Sequence, residues 1–183
     1  MAIGTLFFTG ITTYYQAQVS EDQLKQSRQI ADRDERDQAS RVAIWAEADE
    51  YNGRVHILNR SFDPITVMDL TVQIKTSDPD DPSKFLIHLQ VVLSPCTELV
   101  YNSTGLSLGG EKTDLTLLGD HDWRVLRLSF QERNGREWTR SERGLHEGAL
   151  HERDAEPGDT LRTPFIEQAQ GCGVGQPAPV ATG

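Results

Sequence analysis

From Val42 onward apolar and polar residues alternate with a period of two, the spacing of a half-buried strand. Val42, Ile44, Ala46 and Ala48 make the first run, and Val55, Ile57 and Asn59 the second, after a turn around Tyr51-Asn52-Gly53. Met68, Leu70, Val72 and Ile74 follow, then Phe85, Ile87, Leu89, Val91 and Leu93. Leu99 to Tyr101 and Leu115 to Leu118 are shorter, and Leu126, Leu128 and Phe130 with Glu137 to Arg140 close the series. The breaks carry turn chemistry: Asp63-Pro64, Asp78-Pro79-Asp80-Asp81-Pro82, Ser94-Pro95, Gly109-Gly110 and Asn134-Gly135. This pattern predicts a mainly β fold, a single immunoglobulin-like antiparallel β-sandwich over residues 41–152, preceded by an N-terminal helical segment. The Cys…Trp…Cys core of antibody domains is absent, so only the architecture is predicted.

The last hairpin tests register. A two-residue Asn134-Gly135 loop would set Phe130 opposite Thr139 and place Trp138 on the other face. A three-residue loop, Arg133-Asn134-Gly135 with Gly135 left-handed, pairs Phe130 with Trp138 on one face. Burying both rings together is worth several kcal/mol, so the hydrophobic register predicts the longer loop and a core role for Trp138.

Before Val42 the pattern is different. Residues 1–19 carry no charged side chain and read as an apolar segment, a possible truncated transmembrane helix. The apolar part is shorter than a span, and neither a basic n-region nor a small-residue cleavage site marks a signal peptide. Residues 20–40 read as a charged helical spacer starting at a capping box, Ser20-Glu21-Asp22-Gln23, with Val19 and Leu24 as a hydrophobic staple. Acid-to-base pairs follow at Glu21–Lys25, Asp32–Arg36 and Asp37–Arg41, and twenty residues of helix reach roughly 30 Å. Ala17, Leu24, Ala31 and Gln38 recur every seven residues, which allows at most weak self-association through residues 20–40. After residue 152 the period dissolves, and residues 153–183 are predicted to be a mostly disordered tail, with Leu161 to Ile166 resting on the domain.

The 183-residue chain has 28 acidic and 18 basic residues, a net charge of −10. That excludes a general nucleic-acid binder and points to a basic protein partner. Two cysteines exclude a disulfide-rich scaffold or a Cys-based zinc module. Cys96 reads as a half-buried thiol and Cys172 as an exposed one, which suits the cytoplasmic side of a membrane, or a soluble cytoplasmic protein. A Cys96–Cys172 disulfide is the minority reading.

Catalytic look-alikes are few. Gly105-Leu106-Ser107-Leu108-Gly109 matches the nucleophile elbow, but the sequence after it favours loop and strand over the required helix. A serine hydrolase would need Ser107 with an acid such as Asp120 and a base such as His146. Gly105 and Gly110 have phosphate-loop spacing, yet Glu111 stands where the lysine belongs, with Lys112-Thr113 one residue late. His146-Glu147 and His151-Glu152 place their histidines five apart, on different helix faces, and Asp120-His121-Asp122 lacks a further ligand. The prediction is therefore no catalytic, cofactor or metal residues. Asn59-Arg60-Ser61 and Asn102-Ser103-Thr104 match the glycosylation sequon, a pattern common by chance.

The order of parts resembles that of uncharacterised actinobacterial membrane-anchored proteins. The resemblance rests on Phe7-Phe8-Thr9-Gly10, on the run Tyr14 to Leu24, and on the acid–base helix. It continues through the Asn-x-Ser-x-x-Pro-Ile turn (Asn59 to Ile65) and the F-x-x-x-x-G-x-x-W-x-R hairpin (Phe130 to Arg140), followed by Gly144-Leu145, over roughly residues 3–150. It implies a membrane-tethered β-sandwich and carries no activity with it. The expected function is a non-catalytic interaction module, attached to the cell membrane through residues 1–19 and binding a protein through sandwich loops or an open strand edge. The alternative is a structural subunit of a larger bacterial or phage particle.

Overall fold

The computed structural model describes residues 2–47, 53–75, 83–108, 116–120, 122–149 and 155–169. The turn at Tyr51-Asn52, the Asp78–Pro82 and Gly109–Leu115 segments, His121, His151 and Cys172 lie outside them. The chain is mainly β and sandwich-like, with one N-terminal helix, α1 (Ala2–Ser40). Twelve strands follow among the described residues: β1 (Val42–Glu47), β2 (Arg54–Asn59), β3 (Ile65–Ile74), β4 (Lys84–Leu89), β5 (Thr97–Asn102), β6 (Leu106–Leu108), β7 (Thr116–Leu117), β8 (Trp123–Glu132), β9 (Glu137–Ser141), β10 (Gly144–Glu147), β11 (Glu156–Thr160) and β12 (Phe165–Gln168).

The helix differs from its prediction. It runs unbroken through Ser20, whose hydroxyl donates to the Gln16 carbonyl at 2.8 Å instead of capping a new start. A serine with helix on both sides finds the carbonyl one turn back within reach, and Ser27 does the same to Gln23 at 2.9 Å. Residues 1–19 and 20–40 are therefore one element. The expected transmembrane stretch is not found: among the described residues no helix is long and apolar enough to cross a membrane. Residues 1–37 form one compact unit and 38–183 another, so the last turn of α1 belongs with the strands. There Ala39 is fully buried and the Gln38 Oε1 accepts the Phe62 N–H at 3.1 Å.

The strands form two sheets. The first has the order β1-β2-β5-β12, and the second β10-β9-β8-β3-β4-β11-β6-β7. Alternation puts one face of each inward: Ile44, Ile57 and Leu99 align across the first sheet, and Ile87, Leu70 and Leu128 across the second. Of these six, all but the half-buried Ile44 are fully buried, so the period-two pattern does mark the core. The closing hairpin takes the longer loop: Phe130 pairs with Trp138, Gly135 has φ +83°, and both rings are buried. The Trp138 indole N–H donates to Glu132 Oε2 at 3.1 Å, which satisfies the one polar atom the ring carries inward.

Two departures concern the tail. Residues 156–168 of the tail expected to be mostly disordered supply β11 and β12, and β12 begins within the Leu161–Ile166 stretch expected to rest on the domain. β11 runs parallel to β4 and antiparallel to β6, so the sandwich is not wholly antiparallel. It enters through its backbone: a Cβ at Gly158 would lie 2.8 Å from Ile87 Cγ1 and 2.8 Å from the Ser107 carbonyl oxygen, so this slot accepts only glycine unless its neighbours shift. The Gly105–Gly109 match to the nucleophile elbow contains β6.

The β3–β8 pairing contains two register shifts, at Thr66/Asp69 and Thr71/Val72. The second leaves Leu126 as the extra residue of β8, since Thr71 faces Arg127 and Val72 faces Val125. A bulge of this kind bends its strand and re-aims the side chains around it.

Candidate functional site

The structure does not bring the hydrolase candidates together. Ser107 is buried in β6, paired with Asp159 on one side and Leu117 on the other, and its hydroxyl donates to the Asp159 carbonyl at 3.3 Å. His146 lies on β10, six strand positions away in the same sheet, roughly 29 Å along it at about 4.8 Å per strand. The Asp120 side chain lies outside the described residues. No group of three or more His, Cys, Asp or Glu side chains poised for a metal occurs among the described residues. Asn59 of the first sequon is fully buried, its amide donating to the carbonyls of Asp63, Leu93 and Ser94 at 2.9–3.2 Å, so it is a structural tie between two loops.

Two polar clusters depend on cross-strand registers that the sequence does not reveal. On the outer face of the second sheet, His88, Asp69, Ser129, Thr139 and His146 form one row across five strands. His88 Nδ1 is 2.6 Å from Asp69 Oδ1. Thr139 donates to the Gly148 carbonyl at 2.8 Å, so Ser129 donates to Thr139 at 2.9 Å. The carboxylate stands between imidazole and serine, the reverse of a Ser-His-Asp relay. On the first sheet, buried His56 sits with Nδ1 2.7 Å from Glu98 Oε1 and with its ring stacked on Trp45 at 4.9 Å and 11°. Its Nε2 is 3.4 Å from Glu47 Oε2, within charge range but without hydrogen-bond alignment.

Among the described residues a cleft along β1 has room for a ligand. It consists of two hollows of about 420 and 430 Å³ that share Arg124, Leu126, Ser141 and Glu142. The first is walled by Ile44, Trp45 and Ala46 of β1 and by Trp123, Val125 and Leu126 of β8. The second adds Arg127, Arg143 and His146. The β8 bulge at Leu126 lies between them. Trp123 is seated against the Gly53 backbone, where a Cβ would come within 2.6 Å of its ring.

β1 ends the first sheet, and among the described residues its only strand partner is β2. The Arg41 carbonyl accepts from Arg60 on the β2 side at 3.2 Å, whereas the Val42 carbonyl faces away and accepts from Arg140 Nε at 2.9 Å. A residue's N–H and C=O share one side of a strand and alternate along it. Ile44 and Ala46 therefore present their backbone groups at the open edge, on the wall of the apolar hollow. Arg140 also donates to the Ser40 carbonyl, which pins the start of this edge. Burial lowers the pKa of its guanidinium.

The cleft reverses the charge of the molecule. The net charge of −10 predicts a basic partner, yet the polar hollow holds Arg124, Arg127 and Arg143 against Glu142. Period-two patterning identified the strands that build the cleft, but its assembly depends on one bulge and on which strand ends the sheet. No family model, curated protein or solved structure matches the chain.

Proposed function

We propose that the chain is a non-catalytic protein-interaction module that takes a strand of its partner along the open edge of β1. The observation that carries this reading is the outward backbone of Ile44 and Ala46 on the wall of an apolar cleft. Strand addition draws affinity from main-chain hydrogen bonds and specificity from pockets for alternate side chains, and this edge has a hollow beside it. Attachment to the cell membrane through residues 1–19 is part of the same proposal, with the charged remainder of α1 as a spacer.

The test places a photo-crosslinking residue at Glu142 of the full chain in its native host, with and without Ala46→Pro. Proline removes an N–H that β2 does not use, so it blocks an added strand while leaving the sheet intact. The reading expects a discrete adduct at Glu142 that Ala46→Pro abolishes, and none from the same group at Phe165. An adduct indifferent to Ala46→Pro, or none at all, contradicts it. Membrane fractionation tests the attachment: protein that stays wholly in the soluble fraction contradicts that part.

A further inference from the structure

We propose that the strand taken by β1 is acidic, its carboxylates lodging in the polar hollow against Arg124 and Arg143. This rests on the strand-edge reading above and adds the chemistry of the partner. In a chain with ten excess negative charges, the described residues lining one hollow of about 430 Å³ include three arginines and one acid, Glu142. Arg124 and Arg143 are exposed and Arg127 is half-buried, and two of the three are held in place from the sheet. Arg124 is held through Nε by Gln73 Oε1 at 2.7 Å, and Arg127 through Nε by Thr71 Oγ1 at 3.3 Å. The Gln73 and Thr71 side chains that fix them are buried, so both guanidinium groups are oriented from beneath.

The partner of Arg124 is a neutral amide, which orients the guanidinium without offsetting its charge. Arg136 differs, lying 3.7 Å from the Glu147 carboxylate. Held at Nε by Gln73, the Arg124 guanidinium keeps its terminal nitrogens for a carboxylate, the anion its geometry fits best. The apolar hollow with Ile44, Val125 and Leu126 adjoins this basic one. An extended peptide repeats its side-chain direction every two residues, about 6.8 Å, so apolar residues and carboxylates can meet the two hollows along a single strand.

The experiment measures fluorescence anisotropy of labelled decapeptides alternating valine with glutamate, glutamine or lysine, added to the full chain at low and moderate salt. The glutamate peptide is expected to bind, weakening as salt rises, with the glutamine peptide at least about tenfold weaker and the lysine peptide weaker still. Arg124→Glu combined with Arg143→Glu should cost the glutamate peptide about tenfold or more. Arg133→Glu in the exposed hairpin loop, an acidic change outside the cleft, should leave binding within about twofold. Ala46→Pro should abolish binding, with circular dichroism confirming that each variant folds.

If glutamine and glutamate peptides bind equally and both respond to Ala46→Pro, the acidic partner is wrong and the strand edge stands. If the glutamate peptide binds but ignores Ala46→Pro, the strand edge fails and this proposal with it. Oligothymidylate or anionic vesicles competing as well as the glutamate peptide at equal charge would reduce the cleft to a general polyanion patch and overturn the proposal. So would the absence of binding by any peptide.

Discussion

Among the described residues the first sheet ends in two strands, β1 and β12, and these edges are built differently. At β12 both faces stand in water: Phe165 and Ile166 are each 61% exposed although they pair with Val100 and Leu99, which are buried. Neither of the two hollows is lined by a residue of that edge. At β1 the exposure is graded from buried Val42 to exposed Ala46 and Glu47, the start is held by Arg140, and β8 and β9 supply a floor. An unpaired backbone row is common to both edges. Only β1 adds the side-chain pocket and the local charge that would make a visiting strand choose one sequence over another.

Removing the floor should have the largest effect. Trp138→Ala is expected to cost about 3–5 kcal/mol in denaturant unfolding, because the ring is buried opposite Phe130 and its indole N–H is satisfied inside. A loss under about 1 kcal/mol would mean that the β8–β9 hairpin does not support the cleft. Arg140→Met is the sharper variant, since it leaves the hairpin and removes only the pin on β1. It should cost about 2 kcal/mol, the scale of hydrogen bonds from a charged donor, and speed amide exchange in β1 while sparing β12.

Between the two edges lies Tyr101 on β5, whose phenol burial pushes from 10.0 up to about 12. The neutral phenol is the form the fold favours, so its contribution is complete below pH 10 and is lost as pH rises from about 10 to 12. Thermal melts across that range should show a steady fall that Tyr101→Phe reduces. The smallest effect is expected at the other edge: Phe165→Ser should change stability by less than about 0.5 kcal/mol, as an exposed side chain away from the core. A larger loss would show that β12 is as firmly built as β1 and erase the contrast.

What was legible in the sequence follows the same division. Val42, Ile44 and Ala46 announced β1 because one of its faces is buried, and burial writes alternation into the chain. Phe130 and Trp138 even fixed the hairpin register, because two large rings on one face outweigh the shorter turn. β11 and β12 left no such trace. Glu156-Pro157-Gly158 joins the second sheet by backbone pairing and by the lack of a Cβ at Gly158, and neither produces a hydrophobic period. The cleft was illegible for another reason. Arg124, Arg127 and Arg143 are scattered charges in sequence, gathered by a bulge at Leu126 and a turn between β9 and β10. Ser20 shows the converse, a complete capping signature overridden because the helix before it continues.

The most direct test of the β1 account is residue-resolved amide hydrogen exchange on the full chain, free and saturated with the valine–glutamate peptide. The account predicts that the Ile44 and Ala46 amides exchange fast in the free protein and slow at least about tenfold in the complex, with β12 unchanged. Ile44 and Ala46 amides that are already protected in the free protein, or protection that falls equally on β12, would contradict it.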